Sequence, residues 1–361
     1  MRIGDRKIHL GSEPYIIAEL GVNHDGSRSR ALELVEAAHH AGADAVKLQW
    51  FETDRLLSSA ARLAQYQQQA GVDDPFAMLR GLELGPHEMK PIVESAHGLG
   101  LHTIVTVFSL ELVGPADRLP WDAYKVASPD IINRPLIERL MSTGKPLLVS
   151  TGAADAREIQ SVTQWLGSHP HVLMQCVSAY PTPDESAALA GIRALSDIAS
   201  VPLGYSDHTT ATDTGALAVA AGASILEKHL TLDRSASGPD HATSLEPAQL
   251  AEYVKLARRA HAMLGDRTKR VLAIEQEVRA ASRQSLVVTR RLEPGHVIAR
   301  DDLTIKRPGI GIEPWRMDEI IGRRLARTVE ADTPLAARDL ENADPGEARN
   351  TVTSISGLGS R

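Results

Sequence analysis

Short apolar runs, several of them β-branched, alternate with longer stretches of helical periodicity through the first two-thirds of the chain. That alternation marks a parallel α/β architecture. Eight strands are predicted, over 15–19, 45–49, 102–106, 123–126, 147–150, 172–175, 201–206 and 223–229. Helical patterns run between them over 29–41, 86–99, 133–143, 155–167, 185–198 and 210–221, and 246–264 follows the last strand. Gly42, Gly144 and Gly222 each stand between a helical pattern and a strand, where a left-handed residue ends a helix. Eight strand–helix units in about 250 residues predict a (β/α)8 TIM barrel. A doubly wound sheet is the competing pattern, but no glycine fingerprint follows any strand, and Gly309-Ile310-Gly311 lies far from a βαβ unit.

The connection over 50–85 is long for a barrel and carries Arg55, Tyr66, Gln67 and Gln68, so it is either a helical excursion or part of a site wall. After residue 265 the pattern changes. The stretch 266–284 is charged, and helical at least in its second half, as a linker would be. From Ser285 short strands follow one another closely (SLVVT, DLTIKRPG, LARTVEADTPL), with turns at Pro294-Gly295 and Asp332-Thr333-Pro334. A barrel over 1–265 and a small β-rich domain over 285–342 are therefore expected, and a domain that small is marginal without docking onto another surface. The tail 343–361, rich in Gly, Ser, Thr and charge, is expected to be disordered.

Composition narrows the partners. A formal net charge of −7 with 24% charged residues gives no basic field for nucleic acid or an anionic membrane. No apolar run approaches the roughly 20 residues that span a bilayer. The first residues lack the apolar centre and cleavage site of a secretory signal, so a cytoplasmic location is expected. Cys176, the one cysteine, excludes an intrachain disulfide and reads as a buried inert thiol.

Candidate chemistry gathers at the carboxyl ends of the predicted strands, where barrel enzymes place their sites. Those ends carry Glu19, Lys47 with Gln49, Thr106, Lys125 with Ser128, Ser150, Ser178 with Tyr180, Ser206 with His208, and Glu227 with His229. Lys47 and Lys125 follow runs that point into a core, where an unpaired ammonium is costly. Two lysines among hydroxyls suit a phosphorylated anion. His208 and His229 end successive strands of one βαβ unit, whose crossover brings the same ends together. Two imidazoles with open positions beside them suit a borderline divalent metal, with Asp207, Glu227 and Asp240 as partners that orient the rings and His241 as a neighbour. The plain alternative is a histidine merely hydrogen-bonded at a strand end.

The motifs IAELGVNHDG, GADAVKLQWF, YKVAS, PLLVSTG, YPTP, GYSDHT, EKHLTLD and GPDHATSLEP resemble the sialic acid synthase (N-acetylneuraminate synthase) family, and IKRPGIGIEP resembles its antifreeze-like (SAF) domain. The resemblance runs over about residues 5–342. It implies condensation of phosphoenolpyruvate with N-acetylmannosamine or a related N-acylated hexosamine and water, giving a sialic acid and phosphate. It also implies a divalent metal, usually manganese with magnesium or cobalt as substitutes. A domain-swapped homodimer is implied too, each antifreeze-like domain covering the partner's barrel mouth. By the same resemblance His208 and His229 match metal ligands and Glu19 the catalytic acid. Lys47, Lys125, Ser128, Ser150, Ser178 and Ser206 match positions that hold phosphoenolpyruvate, with Thr106 beside them. Tyr180 and Asp240 match positions at the sugar hydroxyls, and Arg307 the arginine that reaches the N-acyl group in the opposite subunit.

The chain departs from the family at Ser128-Pro129-Asp130, where SGE is usual, and at Val107, where proline is usual. The GPDHA stretch is closer to the sialic and legionaminic branches than to the pseudaminic one, which makes a 2,4-diacetamido-6-deoxy sugar the alternative acceptor. Two other classes stay open on the residues alone. A Schiff-base aldolase would use Lys47, Lys125 or Lys228, and a non-catalytic carbohydrate-binding protein would bind sugar without releasing phosphate.

Overall fold

In the computed structural model, which describes residues 1–60, 74–266 and 268–341, eight parallel strands close into a barrel. The chain divides into two compact units, Met1–Asp266 and Arg267–Arg361. Two short strands, β1 (Arg2–Ile3) and β2 (Arg6–Lys7), precede the barrel as an antiparallel pair. The barrel strands follow as β3 (Tyr15–Gly21), β4 (Ala45–Trp50), β5 (His102–Val107), β6 (Ala123–Val126), β7 (Leu147–Ser150), β8 (His171–Cys176), β9 (Leu203–Asp207) and β10 (Ile225–His229). They neighbour one another in sequence order, and β10 returns to β3.

Side chains alternate across a strand, and here the alternation sorts the sequence into three layers. Outward residues such as Ile16, Ala18, Val46, Leu48, Val105, Tyr124 and Val149 pack in one large core with the helices. Inward residues from the lower half of the strands, among them Tyr15, Ile17, Ala45, Ile104, Ala123, Leu148, Val172 and Ile225, form an apolar floor. Ile3 and Ile8 of the N-terminal hairpin join that floor and plug its lower end. The hairpin escapes periodicity because its strands are two residues each. Above the floor the inward positions turn polar: Glu19 stands two residues past Ile17, Lys47 past Ala45, Thr106 past Ile104, Lys125 past Ala123 and Glu227 past Ile225.

The predicted helix stops hold, since Gly42, Gly144 and Gly222 take φ of 83°, 76° and 119°. Among the described residues of the long connection, Thr53–Leu56 and Pro75–Leu82 are helical. Tyr66, Gln67, Gln68 and the tail 343–361 lie outside the described residues. The linker region carries a helix over Gln276–Ser282.

In the second unit, β11 (Ser285–Val288) and β12 (Leu303–Lys306) pair antiparallel around a core that includes Leu286, Val288, Ile298, Leu325 and Leu335. The expected strand LARTVEADTPL is replaced by single bridges, Leu325 to Leu340, Leu292 to Val329 and Val287 to Pro334. Pro334 has no N–H to extend a ladder and Asp332 adopts φ of 59°, so the segment bends between bridges. Among the described residues no helix is long and apolar enough to cross a membrane.

The helices Thr214–Ala221 and Pro247–Leu264 meet where Gly215 faces Tyr253, and a Cβ on Gly215 would lie 2.4 Å from the ring. An exposed helical Gly→Ala change ordinarily stabilises by up to about 1 kcal/mol. At Gly215 the fully buried Tyr253 ring cannot retreat freely, so Gly215→Ala is expected to destabilise by about 1–3 kcal/mol in urea unfolding. Gly98→Ala, a helical position with nothing within 4 Å of the new Cβ, should be neutral or stabilising in the same measurement.

Candidate active site

The polar layer encloses a cavity of about 280 Å³ at the carboxyl ends of the strands. Lys47, Thr106, Lys125, Ser128, Ser150 and Ser178 line it, as do Tyr180, Ser206, His208, His229 and Asp240. The barrel residues singled out from the sequence thus meet at one pocket, with Glu19 fully buried just behind Lys47. Arg307 stands exposed in the second unit, joined to Pro308 by a cis peptide bond.

Four buried charges form the centre. The Lys47 ammonium pairs with Glu19 Oε2, donates to Thr106 Oγ1 at 3.1 Å and lies 3.9 Å from Glu227 Oε1. Lys125 Nζ is 3.4 Å from the same Glu227 oxygen, which also accepts from Ser206 Oγ at 2.9 Å. Burial, against the pull of Lys47, raises the pKa of Glu19. Burial works against the Lys47 ammonium too, but Glu19 and Glu227 beside it prevail and its pKa is raised. Glu227 is held down to about 2 despite burial, because Lys125 and Lys47 face it. Burial lowers the pKa of Lys125. Sequence reasoning set Glu227 beside the imidazoles, whereas the structure makes it the common counter-ion of both lysines. Its signal was parity, since it shares the inward face with His229 two residues on.

Close backbone approach shapes this centre. A β-bulge between Glu19 and Gly21 ends β3, and a Cβ on Gly21, whose φ is 37°, would lie 2.4 Å from Glu19 Oε1. At Gly152 a Cβ would strike Ser178 Oγ at 2.4 Å and Ser128 Oγ at 2.8 Å. Its backbone N–H donates to Ser128 Oγ at 3.1 Å. Hydroxyls and a bare backbone thus ring a cradle next to Lys125. The Ser128-Pro129-Asp130 departure forms a 3-10 turn there and keeps Ser128 and Pro129 in the pocket wall.

The two imidazoles converge with ring centroids 5.5 Å apart. His208 Nδ1 donates to Val177 O at 2.7 Å, which leaves Nε2 to act as a ligand or acceptor. His229 Nδ1 has no hydrogen-bond partner and stands 3.5 Å from Asp240 Oδ2. Tyr180 lies against His208 at 4.1 Å between centroids and edge-on to His229 at 6.0 Å. Among the described residues no group of three or more His, Cys, Asp or Glu forms a ready-made metal cage. Two imidazoles, one with its second nitrogen bonded to a carbonyl, fit a borderline divalent ion whose other positions go to substrate and water.

Several readings need correcting. Asp207 does not orient an imidazole: its carboxylate points away from the pocket and pairs with Lys228 Nζ at 3.0 Å. Lys228 therefore sits in the barrel wall, fully buried, where no substrate carbonyl reaches it. Arg55 pairs with Glu52 and Glu111 on the surface and does not line the pocket. Cys176 is buried, but its Sγ forms part of the pocket wall, 3.8 Å from His208 Nδ1. His241 remains outside the pocket, bonded to Thr231 and Asp25.

The long connection is both a helical excursion and part of the site wall: Met78, Leu79 and Leu82, from its helix, join Val22 and Phe108 as an apolar side of the pocket. Asn23, just past β3, donates to Leu230 O at 2.9 Å and to Ser244 Oγ at 2.7 Å, and Ser244 donates in turn to Asp240 O. The loop after β3 so fixes the loop that carries Asp240.

The model of the NeuB family matches residues 34–269, and that of the SAF domain residues 283–341. N,N'-diacetyllegionaminic acid synthase of Legionella pneumophila is 36% identical, covering 91% of this chain and 94% of that protein. The structure of N-acetylneuraminic acid synthetase from Leptospira borgpetersenii, in complex with citrate, is 31% identical with a TM-score of 0.71, over 77% of this chain and 94% of that one. A putative spore coat polysaccharide biosynthesis protein E from Chromobacterium violaceum superposes with a TM-score of 0.79 at 28% identity, over 91% and 100%.

His24, beside Asn23, is fully buried, and burial lowers its pKa to about 4. Its unfolded value is near 6.5, so between the two the unfolded chain binds the extra proton and stability falls as pH falls. This one group is expected to cost about 3 kcal/mol by pH 4, at about 1.4 kcal/mol per unit. His24→Gln should flatten the decline of unfolding free energy between pH 6.5 and 4, measured by urea titration against the parent chain.

Proposed function

We propose, from the premise that the chain belongs to the NeuB family, that its barrel condenses phosphoenolpyruvate with an N-acylated hexosamine and water, releasing phosphate and a sialic-type acid. The observation that carries this reading is one pocket holding both a lysine- and hydroxyl-lined anion cradle and two imidazoles 5.5 Å apart. Relatives whose names are those of legionaminic, pseudaminic and N-acetylneuraminate-9-phosphate synthases support it.

Lys47 and Lys125 would hold the phosphate and carboxylate of phosphoenolpyruvate, with Ser128, Ser150, Ser178 and Ser206 directing hydrogen bonds to its oxygens. Ser150 Oγ is buried without a partner and so has a bond to give. A divalent cation, manganese or else magnesium or cobalt, would be held by His208 and His229 and would supply Lewis acidity to the acceptor's aldehyde oxygen. Tyr180 and Asp240 would bind sugar hydroxyls above the imidazoles. Carbon 3 of phosphoenolpyruvate joins the acceptor's carbonyl carbon, water adds at carbon 2, and phosphate leaves by carbon–oxygen cleavage. Glu19, its pKa raised by burial, would carry the proton that the new hydroxyl needs. Arg307 would act across a homodimer, reaching the N-acyl group in the partner's barrel.

The apolar side formed by Val22, Met78, Leu79 and Leu82 suits a methyl group at the acceptor's far end. It favours a 2,4-diacetamido-6-deoxy sugar over N-acetylmannosamine, in keeping with the Legionella relative.

Phosphate release from phosphoenolpyruvate, assayed with each acceptor, tests the reaction. Release is expected with at least one of them, is lost in chelator and returns with manganese; no release from either sinks the proposal. His208→Ala and His229→Ala should each bring release to background. Arg307→Ala should raise the KM for sugar about tenfold or more, the worth of a hydrogen bond from a charged group, with the KM for phosphoenolpyruvate little changed. Borohydride trapping of pyruvate on the protein, with activity surviving the chelator, would instead establish a Schiff-base aldolase using Lys47 or Lys125.

A further inference from the structure

The barrel wall behind the two imidazoles holds a second set of buried charges that takes no part in the pocket. In β9 and β10, which pair Ser206 with Glu227 and Asp207 with Lys228, the inward residues are Ser206 and Glu227. Asp207 and Lys228 therefore point outward, into the layer between sheet and helices that is mostly apolar. Both side chains are completely buried, with Nζ to Oδ2 at 3.0 Å.

Hydrogen bonds to Thr209 extend the ion pair. Lys228 Nζ also donates to Thr209 O at 2.6 Å and to Thr209 Oγ1 at 3.2 Å, and it lies 5.3 Å from the centroid of the Tyr253 ring. Asp207 Oδ1 accepts from Thr209 N at 2.9 Å and from Thr209 Oγ1 at 2.8 Å. Thr209 Oγ1 is also 2.9 Å from Thr214 Oγ1, at the start of the helix Thr214–Ala221. One ammonium thus holds the residues on both sides of His208, while its own backbone is the residue before His229.

Burying an ion pair costs several kcal/mol per charge in desolvation, and apolar residues of similar volume often serve stability as well or better. Stability alone gives little reason for charges at a position that the other strands fill with apolar side chains. Geometry gives one. Leu or Val there would cover the helices but leave the segment 207–209 free to shift along or away from β10. The ammonium fixes it by three directed contacts.

We infer that Asp207, Lys228 and Thr209 are positioning residues for the metal site: their buried network sets the spacing of His208 and His229 so that both rings reach one cation. The inference rests on the reading of those two histidines as the ligands. It assigns the network no contact with substrate and no proton transfer.

The test measures manganese binding to the full-length protein, by electron paramagnetic resonance of free Mn2+, beside thermal unfolding and near-ultraviolet circular dichroism. The Asp207→Asn/Lys228→Met double variant removes both charges and keeps an oxygen to accept from Thr209. It should fold with a near-parental dichroism spectrum and bind manganese about 10–100-fold more weakly, the range seen when partners that orient metal ligands are lost. Thr209→Val, a milder change that keeps the ion pair, should weaken binding by a smaller factor; it decides the matter if the double variant does not fold. Parental manganese affinity in folded variants, whatever their melting temperature, overturns the inference and leaves the network a structural one. His208→Ala separates the two readings. If it binds manganese as the parent does, or the parent binds none, the ligand assignment fails and takes this inference with it. If His208→Ala loses binding while the network variants keep it, only the inference fails.

Discussion

Glu19, Lys47, Lys125 and Glu227 are enclosed together at the barrel's mouth, and each would be too costly to bury alone. Pairing them offsets part of that cost. Glu227 serves two ammonium groups through one oxygen, and Glu19 takes the second contact of Lys47. Two carboxylates against two ammonium groups leave the cluster formally neutral. An incoming anion is then not simply captured by spare positive charge. It must displace carboxylate contacts or find further donors, and the hydroxyls of Ser128, Ser150 and Ser178 around Gly152 are the donors at hand. The raised pKa of Glu19 adds another route, because a proton taken up there shifts the balance of the cluster toward positive.

The cluster rests on the floor beneath it. Ile17, Ala45, Ile104, Ala123 and Ile225 lie one inward position below Glu19, Lys47, Thr106, Lys125 and Glu227. Parallel register carries this boundary from strand to strand: Glu19 faces Lys47 across β3 and β4, and Thr106 faces Lys125 across β5 and β6. A slip of one residue in any strand would bring a charge into the helix layer and an apolar side chain into the pocket. Catalytic placement and core packing are therefore set by the same pairing. Ile3 and Ile8 seal the floor from below, so the polar layer opens on one side only.

Much of this was legible in the chain. Runs such as YIIAEL and ADAVKLQ announce strands, and a lysine at the end of an apolar run announces a buried ammonium, so the barrel and most of the pocket followed from pattern. The expectation for Arg307 rests on the family resemblance alone, since no local signal points to it. What escaped depends on distance in sequence. The two-residue strands of the hairpin are too short for periodicity. The bond from Asn23 to Ser244 joins the first strand's loop to the last one's. The apolar side formed by Met78, Leu79 and Leu82 comes from a helix whose position no spacing specifies. Asp207 is near the histidines in sequence, but it lies on the other face; Glu227 shares their face and pairs with the lysines.

Three lysines show how strictly face decides. Lys47 and Lys125 sit at inward positions above the floor and line the pocket. Lys228 is as well buried as either, and it adjoins a pocket histidine in sequence, yet it points outward by the parity of its position. In a pocket, an ammonium finds carboxylates that a ligand can replace. In the wall it meets Asp207, a carbonyl, a hydroxyl and an aromatic face, none of which any ligand reaches. The same side chain is thus available for chemistry on one face of a strand and committed to geometry on the other. A lysine's capacity for reaction in this barrel is fixed less by its pKa than by whether its position in the strand is shared with Glu227 or with Leu226.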